Sequence, residues 1–302
     1  MTPRPPRVFV YHKEYKVKIL VTGGRGMLGS DLREVVLQAG HECIMTDIND
    51  LDVREYELVR RSILDIRPDV VLHLAALTDV DECERRPAEA YRTNTVGTHN
   101  VALACLESGA TLVYIGTISI FGGSKCEPYT EFDIPAPASV YANSKYQAEL
   151  IVQRLLQRHY IVRAGWMFGG GAEDKKFVAK IIELARTRDT LQIVDDKFGS
   201  PTYTVDFAAG ILRLLETGLY GTYHMVNTGG FCSRFELAQA ILEYAGIATC
   251  RLIPVSSALF SLPAPRPRME AAVNYHLELR GLNWMRPWRE ALKAYIERLK
   301  GD

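Results

Sequence analysis

A glycine-rich turn close to the start of the chain, directly after a short apolar run, restricts the fold more than any other feature. The apolar run Val17 to Val21 leads into the turn Gly23 to Gly29, which contains the spacing G-x-G-x-x-G from Gly24, and a helical pattern follows from Met27 to Leu37. Glycine lets a backbone approach an anion closely, and a helix N-terminus offers it free N–H groups and a positive dipole end. A lone match of this kind is often only a structural turn. The strand before it and the helix after it favour a dinucleotide pyrophosphate site.

Strand and helix patterns alternate along the first half of the chain. Strands are predicted at 17–21, 42–46, 69–74, 111–116 and 160–164, and helices at 27–37, 54–66, 88–108 and 139–159. Such alternation is typical of a mostly parallel sheet that is covered by helices on both faces. The sequence therefore predicts an α/β fold, a Rossmann-type doubly wound parallel sheet with a smaller C-terminal substrate-binding lobe.

The pattern changes after about residue 165, and this change sets the predicted domain boundaries. Residues 1–16 are expected to be a flexible N-terminal extension, and 17–165 the dinucleotide-binding domain. Residues 166–302 are mainly the substrate-binding lobe, with some segments returning to the first domain. In this second region helices are predicted at 175–188, 204–216, 234–245 and 288–299, strands at 192–194, 222–226 and 251–254, and an extended proline-containing loop at 256–268.

Charge and cysteine usage narrow the class of partner. The 36 basic and 36 acidic side chains give zero formal charge without blocks of one sign, which argues against nucleic acid or a membrane surface as a partner. No apolar run approaches the roughly 20 residues that a membrane span needs. The six cysteines are scattered without a CxxC pair, as expected of reduced thiols in a cytoplasmic protein. The seven histidines lack metal-binding spacing, so no metal site is predicted.

An acidic residue follows the second predicted strand, where a carboxylate can hold the hydroxyls of the adenosine ribose. Asp47 lies there, about 20 residues after the glycine turn, and would repel the 2′-phosphate of NADP. Arg25, beside the turn, could instead accept that phosphate. NAD is favoured, and the choice between NAD and NADP stays open. Asp52 and Val53 could lie near the adenine, or Asp52 could cap the helix 54–66.

A tyrosine and a lysine four residues apart provide the predicted chemistry. Tyr141 and Lys145 share one face of the helix 139–159, and Thr117 follows the fourth strand of the predicted sheet. A tyrosine with its ordinary pKa near 10 is a poor acid–base catalyst at neutral pH, so a neighbouring ammonium is expected to lower that pKa. The same spacing also occurs in ordinary amphipathic helices. Its position in a dinucleotide fold favours proton transfer at a carbonyl or alcohol.

The glycine turn and the Thr/Tyr/Lys residues belong to a wider sequence pattern that resembles the extended short-chain dehydrogenase/reductases. Within them the chain looks most like the dTDP-4-dehydrorhamnose reductases, from about Lys18 to Leu299. The glycine turn and the Tyr/Lys pair are generic to the superfamily, whereas later segments point to the reductase branch. The resemblance rests on Ile19–Gly29, His73–Asp81, Asn94, Ser139–Lys145, Arg163–Gly169, Lys176-Phe177, Asp196–Thr202 and Ala264–Pro267.

The resemblance implies a reductase that uses NADH or NADPH on a nucleotide-linked 4-keto-6-deoxy sugar. Tyr141 would supply the proton, Lys145 would hold the nicotinamide ribose and tune Tyr141, and Thr117 would orient the carbonyl. Cofactor contacts are expected at Gly23, Gly26, Met27, Leu28, Asp47, Asp52, Val53, Leu74, Ala75, Ala76, Tyr141 and Lys145. Substrate contacts are expected at Thr78, Val80, Thr117, Trp166 and Arg266. Arg266 would contact the diphosphate, or it is an ordinary surface arginine.

One segment departs from the family. Where the family usually reads Ser-Thr-Asp-Tyr-Val-Phe-Asp-Gly, this chain keeps Thr117 but has Ile118 and Ser119 in place of the Asp and Tyr. A nucleotide-sugar epimerase or dehydratase on the same scaffold stays an alternative, although a dehydratase is expected to have an Asp-Glu pair after its Thr. A dinucleotide-binding regulatory subunit like the methionine adenosyltransferase β subunit is a further alternative. The nucleotide, the product stereochemistry and the oligomeric state, including a homodimer, stay open.

Overall fold

The computed structural model describes residues 16–301. Of the expected N-terminal extension, 1–16, only Lys16 belongs to this range, and the rest lies outside the described residues. The strands are β1 (Lys18–Thr22), β2 (Glu42–Thr46), β3 (Val70–His73), β4 (Thr111–Thr117), β5 (His159–Ala164), β6 (Trp166–Phe168), β7 (Thr190–Val194), β8 (Phe198–Gly199), β9 (Pro201–Tyr203), β10 (Gly221–His224), β11 (Cys232–Ser233), β12 (Arg251–Val255) and β13 (Met269–Glu270).

Eleven α-helices are interspersed with these strands within residues 16–301. None of them is both long enough and apolar enough to cross a membrane. They are α1 (Met27–Gln38), α2 (Tyr56–Ile66), α3 (Val80–Arg85), α4 (Pro87–Ala90), α5 (Gly97–Ser108), α6 (Val140–Leu155), α7 (Phe177–Thr187), α8 (Thr204–Thr217), α9 (Arg234–Ala245), α10 (Tyr275–Leu279) and α11 (Trp288–Gly301).

The main sheet has the strand order β10-β5-β4-β3-β1-β2, and all its neighbouring pairs are parallel. The chain runs from β1 outward to β2 and then returns to the other side of β1 to form β3. The strand order therefore reverses between β1 and β3, and ligands of such sheets bind at this reversal, outside the carboxyl ends of the strands. The predicted Rossmann-type parallel sheet is confirmed.

Alternate side chains of β1 serve two cores, one on each face of the sheet. Ile19 and Val21 pack in one cluster with Leu32 of α1 and Phe207 of α8. Leu20 points to the opposite face and packs with side chains of α2, α5 and α6. Strands that are buried on both faces need continuous apolar runs, which explains why the sequence shows runs here rather than alternation.

The predicted helix 88–108 is interrupted. Its middle turn, Tyr91–Val96, is a π-helix between α4 and α5. The wider turn holds Asn94, whose side-chain oxygen accepts from the Leu77 N–H at 2.7 Å and whose amide donates to the Ser144 hydroxyl at 3.0 Å. The predicted helical stretch is thus present, but its π-helical turn coincides with a long-range polar contact that hydrophobic periodicity does not reveal.

The predicted helix 139–159 also ends earlier than expected. Its last residue is Leu155, and β5 begins at His159. Leu156 adopts an extended conformation, with φ −120° and ψ 126°, and its side chain is buried in the core on the α6 face of the sheet. Burial of this side chain decides where the helix ends.

The second half of the chain builds its own core around α7, α9 and α11, next to the parallel pair β7–β12. Short strands connect this region to the edge of the main sheet, in the pairs β6–β9, β8–β11 and β8–β13. The segment 256–268 is largely a loop, with one 3-10 turn at Ser257–Leu259. β10 and α8 return to the main sheet and pack there.

Candidate active site

Two glycines of the turn after β1 are needed for the chain to pack against its own backbone, whether or not a ligand is bound. Gly23 has φ +70°, and a Cβ there would lie 2.6 Å from the backbone nitrogen of Ala75. A Cβ on Gly29 would lie 2.2 Å from the carbonyl oxygen of Gly24. A side chain at position 23 would push the turn away from the segment after β3, and one at position 29 would push α1 away from the turn. The glycines therefore allow β1, β3 and α1 to meet closely at the carboxyl edge of the sheet.

Gly26 is different, because none of the described residues comes close enough to require a glycine there. The nearest atom to a Cβ at this position is the carbonyl oxygen of Gly23, at an ordinary contact distance of 3.5 Å. Gly26 is the N-cap residue of α1, and within residues 16–301 no side chain caps this helix. The first-turn N–H groups, with Met27 and Leu28 at their start, are thus without a side-chain cap among the described residues. This arrangement fits a dinucleotide pyrophosphate.

Asp47 lies at the end of β2, facing the turn. Its carboxylate accepts the backbone N–H of Arg25 at 2.9 Å and that of Ile48 at 2.8 Å. The Arg25 guanidinium points away to Asp50, 3.4 Å distant on the surface. Asp47 is half-buried beside the glycine turn, as expected for the ribose end of a dinucleotide site, and Arg25 is exposed nearby.

Asp52 and Val53 follow in the next loop, and Asp52 does not cap a helix. α2 begins at Tyr56 with Glu55 as its N-cap residue, so the capping alternative is wrong. Asp52 instead binds the side chain of Arg54 through both oxygens at 2.7–3.0 Å, and this hydrogen bonding holds the pKa of Asp52 below its usual range. Val53 is buried against α5.

The segment after β3 brings further predicted residues to the same edge. The Leu74 N–H donates to the carbonyl oxygen at the end of β1, and the backbone of Ala75 borders the glycine turn. Ala76 is half-buried beside them. The exposed Thr78 hydroxyl accepts from Lys176 at 3.4 Å, and Val80 begins α3. The contact with Lys176 links Thr78 to the second lobe, and the roles of Thr78 and Val80 toward a substrate stay predictions.

The three residues predicted to be catalytic come together. Thr117 ends β4 and is 7% exposed, and its side chain shares a hydrogen bond with the phenol of Tyr141. The Ser119 N–H donates to the Thr117 oxygen at 3.2 Å. Ser139 caps α6 by accepting from the backbone at 3.2 Å, and this fixes the first turn that carries Tyr141. Lys145 lies one turn further on, under the sheet edge.

Burial dominates the electrostatics of the Tyr/Lys pair. It lowers the pKa of Lys145 to about 7, opposed by the negative charge of Glu149. The Lys145 ammonium lies 4.2 Å from the centre of the Tyr114 ring. Burial also raises the pKa of Tyr141 to about 12, opposed by the hydrogen bond with Thr117. In the chain without its dinucleotide, the Tyr141 pKa therefore rises because desolvation dominates; its lowering by Lys145 together with a positive nicotinamide stays a prediction.

A buried ion pair supports Lys145, and the sequence analysis missed it. Glu149, one helical turn after Lys145, binds the Arg163 guanidinium of β5 at 2.8 Å. Their side chains are 0% and 5% exposed. The spacing of four residues from Lys145 is the only sequence signal for Glu149, and it does not identify Arg163 as the partner.

The substrate side holds a second missed residue, Glu270. The predicted Trp166 donates its indole N–H to Glu270 at 3.2 Å, and the Ser119 hydroxyl donates to the other carboxylate oxygen at 2.6 Å. The guanidinium of Arg234 stacks on the Trp166 ring, 3.5 Å from its centre. Nothing local in the sequence links these residues, which lie up to 151 positions apart.

Arg266, the other predicted substrate contact, is half-buried and paired. Its guanidinium binds Asp81 at 2.9 Å and the Ala264 carbonyl at 2.9 Å. These bonds tie the proline-containing loop to α3. Its role toward a diphosphate stays a prediction.

Comparison with known proteins agrees with this arrangement. A family model described as RmlD substrate binding domain matches residues 17–300. The spore coat polysaccharide biosynthesis protein SpsK of Bacillus subtilis is 35% identical over 280 residues, which is 93% of this chain and 97% of that protein. The dTDP-4-dehydrorhamnose reductase of Mycobacterium tuberculosis is 36% identical over 283 residues, 92% of each chain.

A solved structure extends the comparison to three dimensions. The dTDP-4-dehydrorhamnose reductase of Bacillus anthracis, in complex with NADP, has a TM-score of 0.90 and 37% identity, and the match covers 94% of this chain and 100% of that one. The resemblance inferred from the motifs is thereby confirmed. Since the family model spans nearly the whole chain and these relatives share more than a third of the aligned residues, the chain belongs to the RmlD substrate binding domain family.

Proposed function

We propose that this chain is an NAD(P)H-dependent reductase of a nucleotide-linked 4-keto-6-deoxy sugar, of the dTDP-4-dehydrorhamnose reductase type. The observation that carries the proposal is the meeting of Thr117, Tyr141 and Lys145 at the sheet edge where the glycine turn lies. The name of the Mycobacterium tuberculosis relative and the NADP bound to the Bacillus anthracis relative support the same activity.

The dinucleotide would lie across the carboxyl ends of β1 to β4. Gly26 and the first turn of α1 would hold the pyrophosphate, Asp47 the adenosine ribose, and Lys145 the nicotinamide ribose. The reduced nicotinamide supplies a hydride to the carbonyl carbon when it is bound. A carboxylate at Asp47 favours NAD, whereas the exposed Arg25 beside it could accept the 2′-phosphate of NADP.

The protein's own part is to protonate the sugar oxygen. With its pKa raised to about 12, the Tyr141 phenol holds its proton at neutral pH and can donate it to the oxygen that becomes negative. The Thr117 oxygen accepts from the Ser119 N–H, and its hydroxyl, next to the Tyr141 phenol, would orient the same carbonyl. Both groups are fixed by elements of the sheet edge, which positions them before the sugar arrives.

The segment after Thr117 helps to distinguish a reductase from a dehydratase, an epimerase or a regulatory subunit. A dehydratase needs acidic side chains directly after this threonine, but Ile118 is 1% exposed and packs in an apolar cluster with Phe121 and Tyr129. An epimerase retains its dinucleotide and consumes no added reductant. A regulatory subunit would bind the dinucleotide without turning over any sugar.

The test follows the absorbance of NADH or NADPH with a panel of nucleotide-linked 4-keto-6-deoxy sugars. Tyr141→Phe should lower kcat by about 10²–10⁴-fold, since it deletes the proton donor, and leave dinucleotide affinity nearly unchanged. Lys145→Met should lower both kcat and dinucleotide affinity. Thr117→Val should lower kcat by a smaller factor than Tyr141→Phe does. Tyr146→Phe, on the same helix, is the matched control and should keep full activity.

Two results would count against the proposal. Full activity in Tyr141→Phe would mean that another group supplies the proton. Failure of every 4-keto sugar to oxidise NADH or NADPH would favour a regulatory subunit, and co-purification with a synthetase would then support that alternative.

A further inference from the structure

The edge of the sheet beyond Thr117 carries a carboxylate that comes from a distant part of the chain. Where the family usually has Asp and Tyr, Ile118 turns into the core and Ser119 turns to Glu270, 151 residues later. Glu270 ends β13, which pairs with β8 in the second lobe. The second lobe therefore places an acidic group at the strand end that carries the predicted carbonyl-binding threonine.

Glu270 is fixed in place but has spare capacity to accept hydrogen bonds. One oxygen accepts from the Ser119 hydroxyl at 2.6 Å and the other from the Trp166 indole at 3.2 Å. Each carboxylate oxygen has two lone pairs, so each can accept one further donor. The side chain is half-buried, as are Trp166 and Tyr141. Glu270 is therefore partly exposed to solvent, from which a donor would approach the carboxylate.

Glu270 influences both Tyr141 and Arg234 through its charge. Burial raises the pKa of Tyr141 and lowers that of Arg234 to about 10, and the negative charge of Glu270 acts upward on both pKa values. Arg234 is held flat on the Trp166 ring, with its centre 4.9 Å from the Phe177 ring on another side. Glu270 is thus hydrogen-bonded to Ser119, two residues after Thr117, and to the indole on which Arg234 stacks.

We propose that Glu270 binds the substrate directly, its carboxylate accepting a hydrogen bond from the sugar hydroxyl on the carbon next to the ketone. The inference rests on the proposed function and adds a specificity determinant to it. A neutral hydroxyl is a suitable donor for a fixed carboxylate, and such charge-assisted bonds are among the strong ones. Ser119 and Trp166 are positioning residues, because each holds one oxygen of Glu270.

The test compares the nucleotide-linked 4-keto sugar with its analogue that lacks the neighbouring hydroxyl. The wild-type protein should prefer the full sugar in kcat/KM by about 10- to 150-fold, the range expected for a hydrogen bond to a charged group. Glu270→Gln should lose most of this preference by losing activity only on the full sugar. Ser119→Ala, which removes one hydroxyl and keeps the carboxylate, should reduce the preference partly. Glu278→Gln, an exposed acid on α10, is the matched control and should behave as wild type.

A binding measurement separates this inference from the proposed function. Calorimetric affinities for the nucleotide-linked 4-hydroxy product and for its deoxy analogue need no turnover, and the same preference should appear in wild type and vanish in Glu270→Gln. A wild-type protein that binds both products but reduces neither ketone would refute the proposed function and leave Glu270 to be judged by these affinities. Equal losses on both sugars in Glu270→Gln, an unchanged preference in both variants, or no binding of either product would overturn the assignment.

Discussion

Replacing Glu149 by glutamine tests the buried ion pair beneath the site. The carboxylate accepts hydrogen bonds from the Arg163 guanidinium at 2.8, 3.1 and 3.3 Å, with both side chains almost fully buried. A neutral amide would leave the guanidinium buried without its counter-charge, which costs about 3–5 kcal/mol. At the roughly 2–4 °C per kcal/mol typical of chains of about 150–250 residues, Tm should fall by about 6–20 °C in thermal unfolding.

The same substitution should change the pH dependence of dinucleotide binding. Glu149 on α6, His73 on β3 and Tyr114 on β4 face Lys145, and of these Glu149 raises the Lys145 pKa whereas burial lowers it to about 7. If the ammonium holds the ribose, wild-type affinity should weaken as the pH rises through about 7. In Glu149→Gln the Lys145 pKa falls further, so the weakening should begin at lower pH in calorimetric titrations between about pH 5 and pH 9.

An exposed pair supplies the control. Arg60 and Glu107 are 39% and 41% exposed, so Glu107→Gln should leave both Tm and the binding profile nearly unchanged. A wild-type Tm in Glu149→Gln would refute the argument from buried charge. A wild-type pH profile in that variant would show that the carboxylate does not influence Lys145.

Three further substitutions probe the cofactor and sugar sides of the site. Gly26→Val should fold, because the nearest protein atom is 3.5 Å from its Cβ, and should abolish dinucleotide binding in calorimetry; retained affinity would contradict the pyrophosphate site. Asp47→Ser should raise the Kd for NADH and lower the ratio of the NADPH Kd to the NADH Kd. Equal losses of affinity for both cofactors would mean that Asp47 is only structural. Gly199→Ala should raise KM for the sugar at constant dinucleotide affinity, because its Cβ would lie 2.2–2.6 Å from the Trp166 ring; a normal KM would place the sugar elsewhere.

The parts of the fold that the sequence predicted well are those with strong local patterns. The runs at β1 and β4 are buried on both faces, so their apolar character is continuous and easily detected. The glycine turn was recognisable partly for short-range reasons, because Gly23 has a positive φ and Gly29 packs against the backbone of Gly24, five residues earlier. Such constraints act within a few residues and leave their mark in the sequence.

The parts that the sequence did not predict depend on partners far along the chain. Asn94 widens its helix because its amide binds Leu77 and Ser144, and nothing near residue 94 indicates those partners. Arg163 is 14 residues from Glu149, and Glu270 is 104 residues from Trp166. Hydrophobic periodicity cannot pair polar groups over such distances. The site residues that were missed are therefore the ones that support or surround the predicted three.

The residue types at this site indicate proton transfer by Tyr141, but they do not determine whether its pKa is raised or lowered. A nearby lysine argues for a lower phenol pKa, and burial argues for a higher one; only the packing decides, and it raises the pKa to about 12. A phenol that keeps its proton is suited to protonating the strongly basic oxygen formed when a ketone is reduced. Alcohol oxidation would instead need the phenolate, which this environment disfavours. In the chain without its dinucleotide, the packing around Tyr141 thus keeps the proton that the proposed reduction needs.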